Sequence, residues 1–181
     1  MADRFSTLRP DLAQWWREQP MFFVATAPSG GDGHVNLSPK GYDALRVLAA
    51  DRVAYLDLTG SGVETIAHLR ENGRVTLMAC AFSGNPRISR IYGRGRAHPV
   101  GSPEFDALAP QFPDLPGARS IIDIAVERVT TSCGFAVPMM DLVDDRARLL
   151  EWAESKGAEG VVEYRRKKNA LSIDGLPGID G

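Results

Sequence analysis

Six stretches of the chain carry the hydrophobic pattern of β-strands, either alternating with polar residues or apolar on both faces. They span residues 21–27, 34–38, 52–58, 74–82, 87–100 and 121–137. Apolar residues at helical spacing, or short segments between turns, predict helices at 10–18, 42–50, 63–72, 102–109 and 144–164. Because most strands are joined by hairpin-length turns, the order predicts a six-stranded antiparallel barrel with peripheral helices rather than a doubly wound sheet.

The first helix is predicted to be amphipathic. Leu12, Trp15 and Trp16 follow Pro10 at helical spacing, and polar residues occupy the other face. We expect both tryptophans to pack on the core. A ring contact with a bound ligand is the alternative.

The length of 181 residues fits one domain, which we expect to span residues 1–181 with helical additions at both ends. The hydrophobic fraction of 44% and the charged fraction of 24% are typical of a soluble globular protein. A net charge of −2 provides no field to recruit nucleic acid or an anionic membrane. The one dense basic run, at 165–168, is predicted to be a solvated face, with a flexible anion contact as the alternative.

The cysteine and histidine content points to a reducing compartment and no metal. Cys80 and Cys133 both lie in apolar strand-like stretches and are interpreted as small core residues, without a disulfide framework. With no signal peptide or membrane span expected, this predicts a cytoplasmic protein. The three histidines lack metal-binding spacing, so no metal site is expected.

The turn at 59–62 and the helix after it could bind an anion. A helix N-terminus exposes unpaired N–H groups with partial positive charge, and Thr59, Ser61 and Thr65 would add hydroxyls. The alternative is a capping box, in which Ser61 and Glu64 satisfy the helix end themselves. The sequence alone leaves both interpretations open.

Two strands carry polar residues on one face. Strict alternation places Asn36, Ser38 and Lys40 together, either lining a polar ligand or facing solvent. The second strand, at 87–96, contains four arginines, including Arg90, which could bind phosphates or pair with acids at a subunit interface. No nucleophile–base–acid motif accompanies them, so chemistry would be supplied by a cofactor.

Several motifs resemble the pyridoxamine 5′-phosphate oxidase-like superfamily in sequence and order. They are Asn36-Leu37-Ser38-Pro39-Lys40-Gly41, the strand end Tyr55–Thr59, the helix end Arg70–Leu77, the segment Ile91–Gly95 and the tail Ser172–Pro177. The resemblance covers residues 20–100 well and the remainder loosely. Within this superfamily, the chain is more similar to oxidase-related FMN-binding proteins than to the true oxidases.

This resemblance implies an FMN-binding split barrel that forms a homodimer, with cofactor sites at the interface and an oxidoreductase activity on a small molecule. Lys40 matches the family's lysine near the ring and substrate and is the candidate catalytic residue. The candidate cofactor-binding residues are Val35, Asn36, Leu37, Ser38, Lys40, Leu58, Thr59, Ser61, Thr65 and Arg90. The alternatives are a split barrel for deazaflavin F420 or haem, and a non-catalytic flavin carrier or sensor.

The chain departs from the true oxidases at positions that bind charge. Val35 and Glu64 stand where that family carries arginines, and Thr65 stands where it carries a lysine, all near the cofactor phosphate. Gly175 replaces a substrate-binding arginine in the tail. We therefore expect hydroxyls, helix N–H groups and an arginine from 87–96 to replace these cations at the phosphate end, and a substrate other than pyridoxamine phosphate.

Overall fold

The computed structural model describes residues 3–179, which form eight β-strands and four α-helices. The strands are β1 (Asp3–Phe5), β2 (Phe22–Thr26), β3 (Asn36–Lys40), β4 (Leu45–Ala49), β5 (Arg52–Leu58), β6 (Arg74–Cys80), β7 (Ile88–Pro99) and β8 (Ala118–Ser132). The helices are α1 (Pro10–Arg17), α2 (Glu64–Asn72), α3 (Pro103–Leu108) and α4 (Arg148–Lys168).

All strands belong to one antiparallel sheet in the order β3-β2-β6-β7-β8-β5-β4, with β1 added to β8. The sheet is not closed, because β3 and β4 are its ends. The predicted class, a mainly β antiparallel split barrel with peripheral helices, is confirmed. The predicted number of six strands is wrong, because β1 and β4 add to the sheet.

β4 replaces the helix predicted at 42–50. Tyr42 and Asp43 have positive φ angles of 61° and 51°, which turn the chain sharply instead of starting a right-handed helix. Residues 45–49 then pair with β5, where Leu45 lies opposite Tyr55. Pairing with a buried neighbouring strand outweighs the helical tendency of a short segment.

α1 closes one end of the core as predicted. Leu12 and Trp16 are almost fully buried, and Trp16 Nε1 donates a hydrogen bond of 2.9 Å to Ser89 Oγ on β7. Trp15 is only half-buried and meets Trp16 edge to face, with 6.0 Å between the ring centroids. Both tryptophans therefore pack on the core, Trp16 within it and Trp15 partly exposed at its edge.

Glycines allow α2 to approach β7. Gly73 ends the helix with φ of 72°, and its N–H donates to the Leu69 carbonyl, as the sequence predicts. A Cβ at Gly95 would lie 3.1 Å from the Leu69 side chain, and one at Gly93 would overlap the Ala125 carbonyl oxygen. The absence of side chains at Gly93 and Gly95 therefore sets the spacing between β7, β8 and the helix that begins the candidate site.

The C-terminal third differs from the predicted pattern. α4 begins at Arg148 rather than at 144, and residues 133–147 form an irregular, largely exposed segment with a turn at 135–136. Gly157 interrupts α4 with φ of 66°. Cys80 is buried as expected, but Cys133 is exposed, so its interpretation as a core residue is wrong. None of the helices between residues 3 and 179 is both long and apolar enough to cross a bilayer.

Candidate functional site

β3 lies at one edge of the sheet and separates a polar face from an apolar one. Asn36, Ser38 and Lys40 are half-buried against the barrel interior. Val35 and Leu37 point outwards and are 74% and 64% exposed. The predicted alternation is confirmed. The alternative of a solvated polar face is wrong, since here the apolar side chains face outwards.

A hydrogen-bonded chain links the polar face of β3 to α2. Ser38 Oγ donates to Asn36 Oδ1 at 3.0 Å, and Asn36 Nδ2 donates to Thr65 Oγ1 at 3.0 Å and to Thr26 Oγ1 at 3.2 Å. Thr26 Oγ1 lies 2.9 Å from Nδ1 of the fully buried His68. Burial lowers the pKa of His68, which favours a neutral imidazole at pH 7. This part of the site is therefore uncharged.

Lys40 ends in a buried group of charges. Its Nζ lies 3.1 Å from Oδ1 of Asp57, whose side chain is fully buried on β5. Arg119 donates through Nε and through its NH2 group to Asp57 Oδ2, at 2.8 Å each. Burial raises the pKa of Asp57, but the charges and hydrogen bonds of Arg119 and Lys40 outweigh it and lower the value to about 2. Asp57 is therefore ionised at any physiological pH.

The turn predicted to grip a phosphate is partly occupied by internal contacts. Thr59 is 1% exposed, and its hydroxyl donates to the Gly117 carbonyl at 2.8 Å and accepts from Arg165 Nε at 2.8 Å. Ser61 is exposed. Leu58 is half-buried at the end of β5, after a register shift against β8. Of the two hydroxyls in this turn, only that of Ser61 faces outwards.

Arg165 also corrects the interpretation of the basic run as a solvated face. Besides Thr59, it donates to the Ala118 carbonyl at 2.6 Å, so it braces the turn from behind. Burial, followed by the nearby charge of Arg119, lowers the pKa of Arg165. The other three residues of the run are exposed as expected.

The N-terminus of α2 has no side-chain cap. Val63 occupies the N-cap position, so the capping box predicted for Ser61 and Glu64 does not form. The Glu64 carboxylate instead lies against Gly62, and its Oε1 accepts a hydrogen bond of 3.2 Å from the Ile173 N–H in the tail. The first turn thus combines N–H groups without a side-chain cap and one carboxylate.

The tail folds back over the start of β3. Asp174 accepts hydrogen bonds from the His34 N–H at 2.8 Å and lies 2.7 Å from His34 Nδ1. Hydrogen bonds from His34 lower the pKa of Asp174. Gly175 follows with φ of 76°, a conformation that favours glycine. The tail therefore borders the candidate site, as its resemblance to the family's C-terminal end implies.

A cavity lies at each end of β3. The cavity at the N-terminal end has a volume of about 410 Å³ and is lined by residues that include Val35, Asn36, Leu37, Ser61 and Glu64. The cavity at the C-terminal end is larger, about 750 Å³, and its wall includes Trp15, Met21, Lys40, Tyr42, Phe82 and Met140. The edge strand therefore lies between a smaller recess with a mixed polar and apolar lining and a larger recess whose walls combine aromatic and apolar residues with charged ones.

The arginines of the β7 region do not gather at one point. Arg90 lies on the outer side of the sheet, where its guanidinium donates to Ser132 Oγ at 3.4 Å. Arg94 pairs with Glu127 at 3.2 Å on the surface. Arg87, just before β7, lies over the Trp15 ring at 5.6 Å and lines the larger cavity. Within one chain, Arg90 is thus on the opposite sheet face from Lys40.

The sequence interpretation missed the buried partners of this site: Thr26, Tyr55, Asp57, His68, Arg119, Arg165 and Asn169. Asp57 had a visible signal, because it is the one acid inside an otherwise apolar strand. Arg119 had none, since 62 residues separate it from Asp57. Between residues 3 and 179, no group of three or more His, Cys, Asp or Glu side chains is arranged to hold a metal.

An open antiparallel barrel whose edge strand carries polar side chains on its inner face defines this chain as a split-barrel protein. Residues 8–133 match the family model described as pyridoxamine 5′-phosphate oxidase. The chain therefore belongs to the pyridoxamine 5′-phosphate oxidase-like family. The ustO protein of Aspergillus flavus is a member of the same family. It is 40% identical to this chain over an alignment of 192 positions, which covers 97% of this chain and 77% of ustO.

Solved structures agree on the fold. A HupZ variant from Group A Streptococcus superposes with a TM-score of 0.54 at 18% identity, over 69% of this chain and 99% of that one. A putative pyridoxamine 5′-phosphate oxidase from Lactobacillus delbrueckii gives a TM-score of 0.53 at 21% identity, over 69% of this chain and 94% of its own. At these identities the likeness establishes the split-barrel fold.

Proposed function

We propose that this chain binds a flavin, FMN by preference, along β3 and uses it as a flavin-dependent oxidoreductase acting on a small molecule. The observation that carries the proposal is the pairing of two different recesses by one edge strand. Five residues of strand extend roughly 16 Å, so an elongated ligand with one flat and one charged end would meet both recesses. Membership of the oxidase-like family supports the same assignment.

The larger recess suits a flat redox ring. Its walls include Trp15, Phe82 and Met140, which offer apolar and aromatic surface. Lys40 supplies one cation at the end of β3, where it would bind an electron-rich edge of the ring or orient a substrate. The recess also has volume left for a second, small molecule beside a ring.

The smaller recess suits a phosphate held by neutral groups. The first turn of α2 and the exposed Ser61 supply donors, whereas both N–H groups of the Asn36 amide are already bonded to Thr65 and Thr26. Glu64 opposes an anion there, although the Ile173 N–H engages one of its oxygens. The donor set therefore fits FMN, with weaker electrostatic attraction than a pair of cations would give. Thr59 and Thr65 would support the recess from behind, because their hydroxyls are bonded within the protein.

A bound flavin supplies hydride or electron transfer between a reductant such as NAD(P)H and an oxidised or unsaturated substrate. The chain's own residues would hold the ring along β3, fix the Lys40 charge and exclude water with the segment 133–147. Gly175 leaves the tail without a cation, so we propose a substrate other than pyridoxamine phosphate.

We further propose that two copies pair through the outer face of β3 and its neighbours. Val35 and Leu37 are strongly exposed and adjacent on that face, and contiguous exposed apolar surface marks sites of interaction with other chains. Arg90 lies on the same outer side of the sheet. In a homodimer it would approach the cofactor groove of the partner, which reconciles its position with a role in cofactor binding.

The proposal is tested by ligand binding to cofactor-free protein. FMN should raise the melting temperature and lose its fluorescence on titration, whereas F420 and haemin should do neither. Lys40→Ala should retain the fold and reduce turnover of a flavin-loaded sample more than it reduces stability. Stabilisation by F420 or haemin alone would replace the flavin with that cofactor, and bound flavin that exchanges no electrons would indicate a carrier.

A further inference from the structure

The Lys40 side chain does not end in solvent but in a buried network of ion pairs on β5 and β8. Its Nζ contacts one oxygen of Asp57 at 3.1 Å, and only 21% of the Lys40 side chain is exposed. The second Asp57 oxygen accepts two N–H groups of Arg119 at 2.8 Å and the Ser120 hydroxyl at 3.3 Å. The carboxylate is therefore held between two cations, and a movement towards one of them would break its contact with the other.

Arg119 is itself fixed by groups from two distant segments. Its NH1 group donates to the Gly62 carbonyl at 2.8 Å and to Asn169 Oδ1 at 2.9 Å. Asn169, fully buried, donates to the Gly60 carbonyl at 3.0 Å. The same guanidinium thus holds the carboxylate beneath Lys40 and, directly and through Asn169, the turn before α2.

We propose that Asp57 and Arg119 are positioning residues that fix the Lys40 ammonium in the groove and tie it to the turn at 60–62. This rests on the proposed function for the roles of the two groove ends, but the positioning itself is a property of the cofactor-free chain. The fully buried Asp57 carboxylate fixes the position of the Lys40 ammonium. The planar Arg119 guanidinium, which donates several hydrogen bonds, fixes the position of the carboxylate.

The direct test is the chemical reactivity of Lys40 in cofactor-free protein. Limited acetylation by an N-hydroxysuccinimide ester, read by peptide mass spectrometry, compares Lys40 with Lys167, which is 69% exposed. We expect Lys40 to react slowly in the unaltered chain. Asp57→Asn should accelerate Lys40 about tenfold, as expected for loss of a charge-assisted hydrogen bond, and should leave Lys167 unchanged.

Asp123→Asn is the matched control. It makes the same substitution on the neighbouring strand, β8. It breaks the ion pair between the Asp123 carboxylate and the Arg52 guanidinium, which are 2.8 Å apart, and Asp123 does not contact Lys40. Its Lys40 rate should equal that of the unaltered chain. The proposal is overturned if Lys40 reacts as fast as Lys167 before any substitution, a measurement that does not require the variant to fold. It is also overturned if a folded Asp57→Asn leaves the Lys40 rate unchanged.

A second readout separates positioning from general stability. In flavin-loaded protein, Asp57→Asn should shift the visible flavin absorption and lower kcat. In a Lys40→Ala background, the same substitution should have no further effect on either quantity. Additive effects would show that Asp57 acts independently of Lys40. If no flavin binds at all, the proposed function fails while the acetylation result still decides the positioning.

Discussion

Asp57 is a carboxylate in a position where the chain otherwise places apolar side chains. It is fully buried on β5, beside residues such as Ala54, Tyr55 and Leu56. An isolated buried charge would be costly, but Arg119 and Lys40 both contact it. The nearby Tyr55 hydroxyl is buried, and burial raises its pKa well above the ordinary value. This corner of the barrel therefore keeps one carboxylate ionised between two cations and keeps the neighbouring phenol neutral.

The Asp57 pKa predicts how stability responds to acid. Its value falls from 3.8 to about 2 on folding, which corresponds to about 2 kcal/mol of folding free energy. Because the folded pKa is the lower one, this contribution is present above pH 4 and is lost as the pH falls towards 2. Urea titrations from pH 5 to pH 2 should show the stability gap between the unaltered chain and Asp57→Asn narrowing by that amount. A gap independent of pH would contradict the assignment.

At the residue scale, alternation was enough to find the three polar residues of β3 and their exposed apolar neighbours. It could not find Arg119, whose partners lie 50 to 62 residues away in the chain. The position of Thr59 before a helix N-terminus likewise predicted a ligand-facing role, whereas its hydroxyl bonds to Gly117 and Arg165. Spacing along a strand gives the face of a side chain but not the tertiary partner that occupies its hydrogen bonds.

At the element scale, the N-terminus of α2 sets the charge of the smaller recess. Glu64→Gln removes the opposing carboxylate and keeps the shape of the side chain. A unit charge at this range is worth about 1 kcal/mol in a solvated groove, so FMN should bind about fivefold more tightly. Riboflavin, which lacks the phosphate, is the matched ligand and should bind unchanged. Equal gains for both ligands would mean that Glu64 acts on the ring or the fold instead of the phosphate.

The spacing of β7 and β8 depends on Gly93, where the two strands shift register. Gly93→Ala would drive a methyl group into the Ala125 carbonyl oxygen, and we expect a loss of about 2–4 kcal/mol in unfolding free energy. Gly30→Ala is the control, because nothing lies within 4 Å of a Cβ there. Thermal or urea denaturation of both variants measures the difference. Similar stabilities would show that the strands separate without cost.

Most elements could be placed from hydrophobic pattern and turn residues alone, such as β5, α2 and the Gly73 stop. β4 could not, because a five-residue segment with apolar residues at 45, 47 and 48 fits both the alternation of a strand and the spacing of a helix. The deciding contact is the ladder to β5, which is a tertiary feature. Residues 133–137 and 144–147 of the irregular segment were likewise assigned to the neighbouring strand and helix, although Gly134 and Pro138 lie within the segment.

At the scale of the whole molecule, the outer face of β3 is where a second copy would pair. Leu37→Asp places a charge on a side chain that is 64% exposed, so a monomer should tolerate it and a dimer should not. We expect light scattering after size exclusion to report a monomer with native circular dichroism. Val162→Asp, on α4 at 47% exposure, should remain dimeric. An unaltered chain that is already monomeric would contradict the proposed homodimer.

The central feature of the proposed function is a planar redox cofactor that lies along β3 between the two recesses. The most direct measurement is an absorbance spectrum of the freshly purified protein, combined with mass identification of the small molecule released on denaturation. Flavin bands together with the mass of FMN are the predicted result. A colourless protein that releases no flavin and gains no thermal stability from added FMN would contradict it.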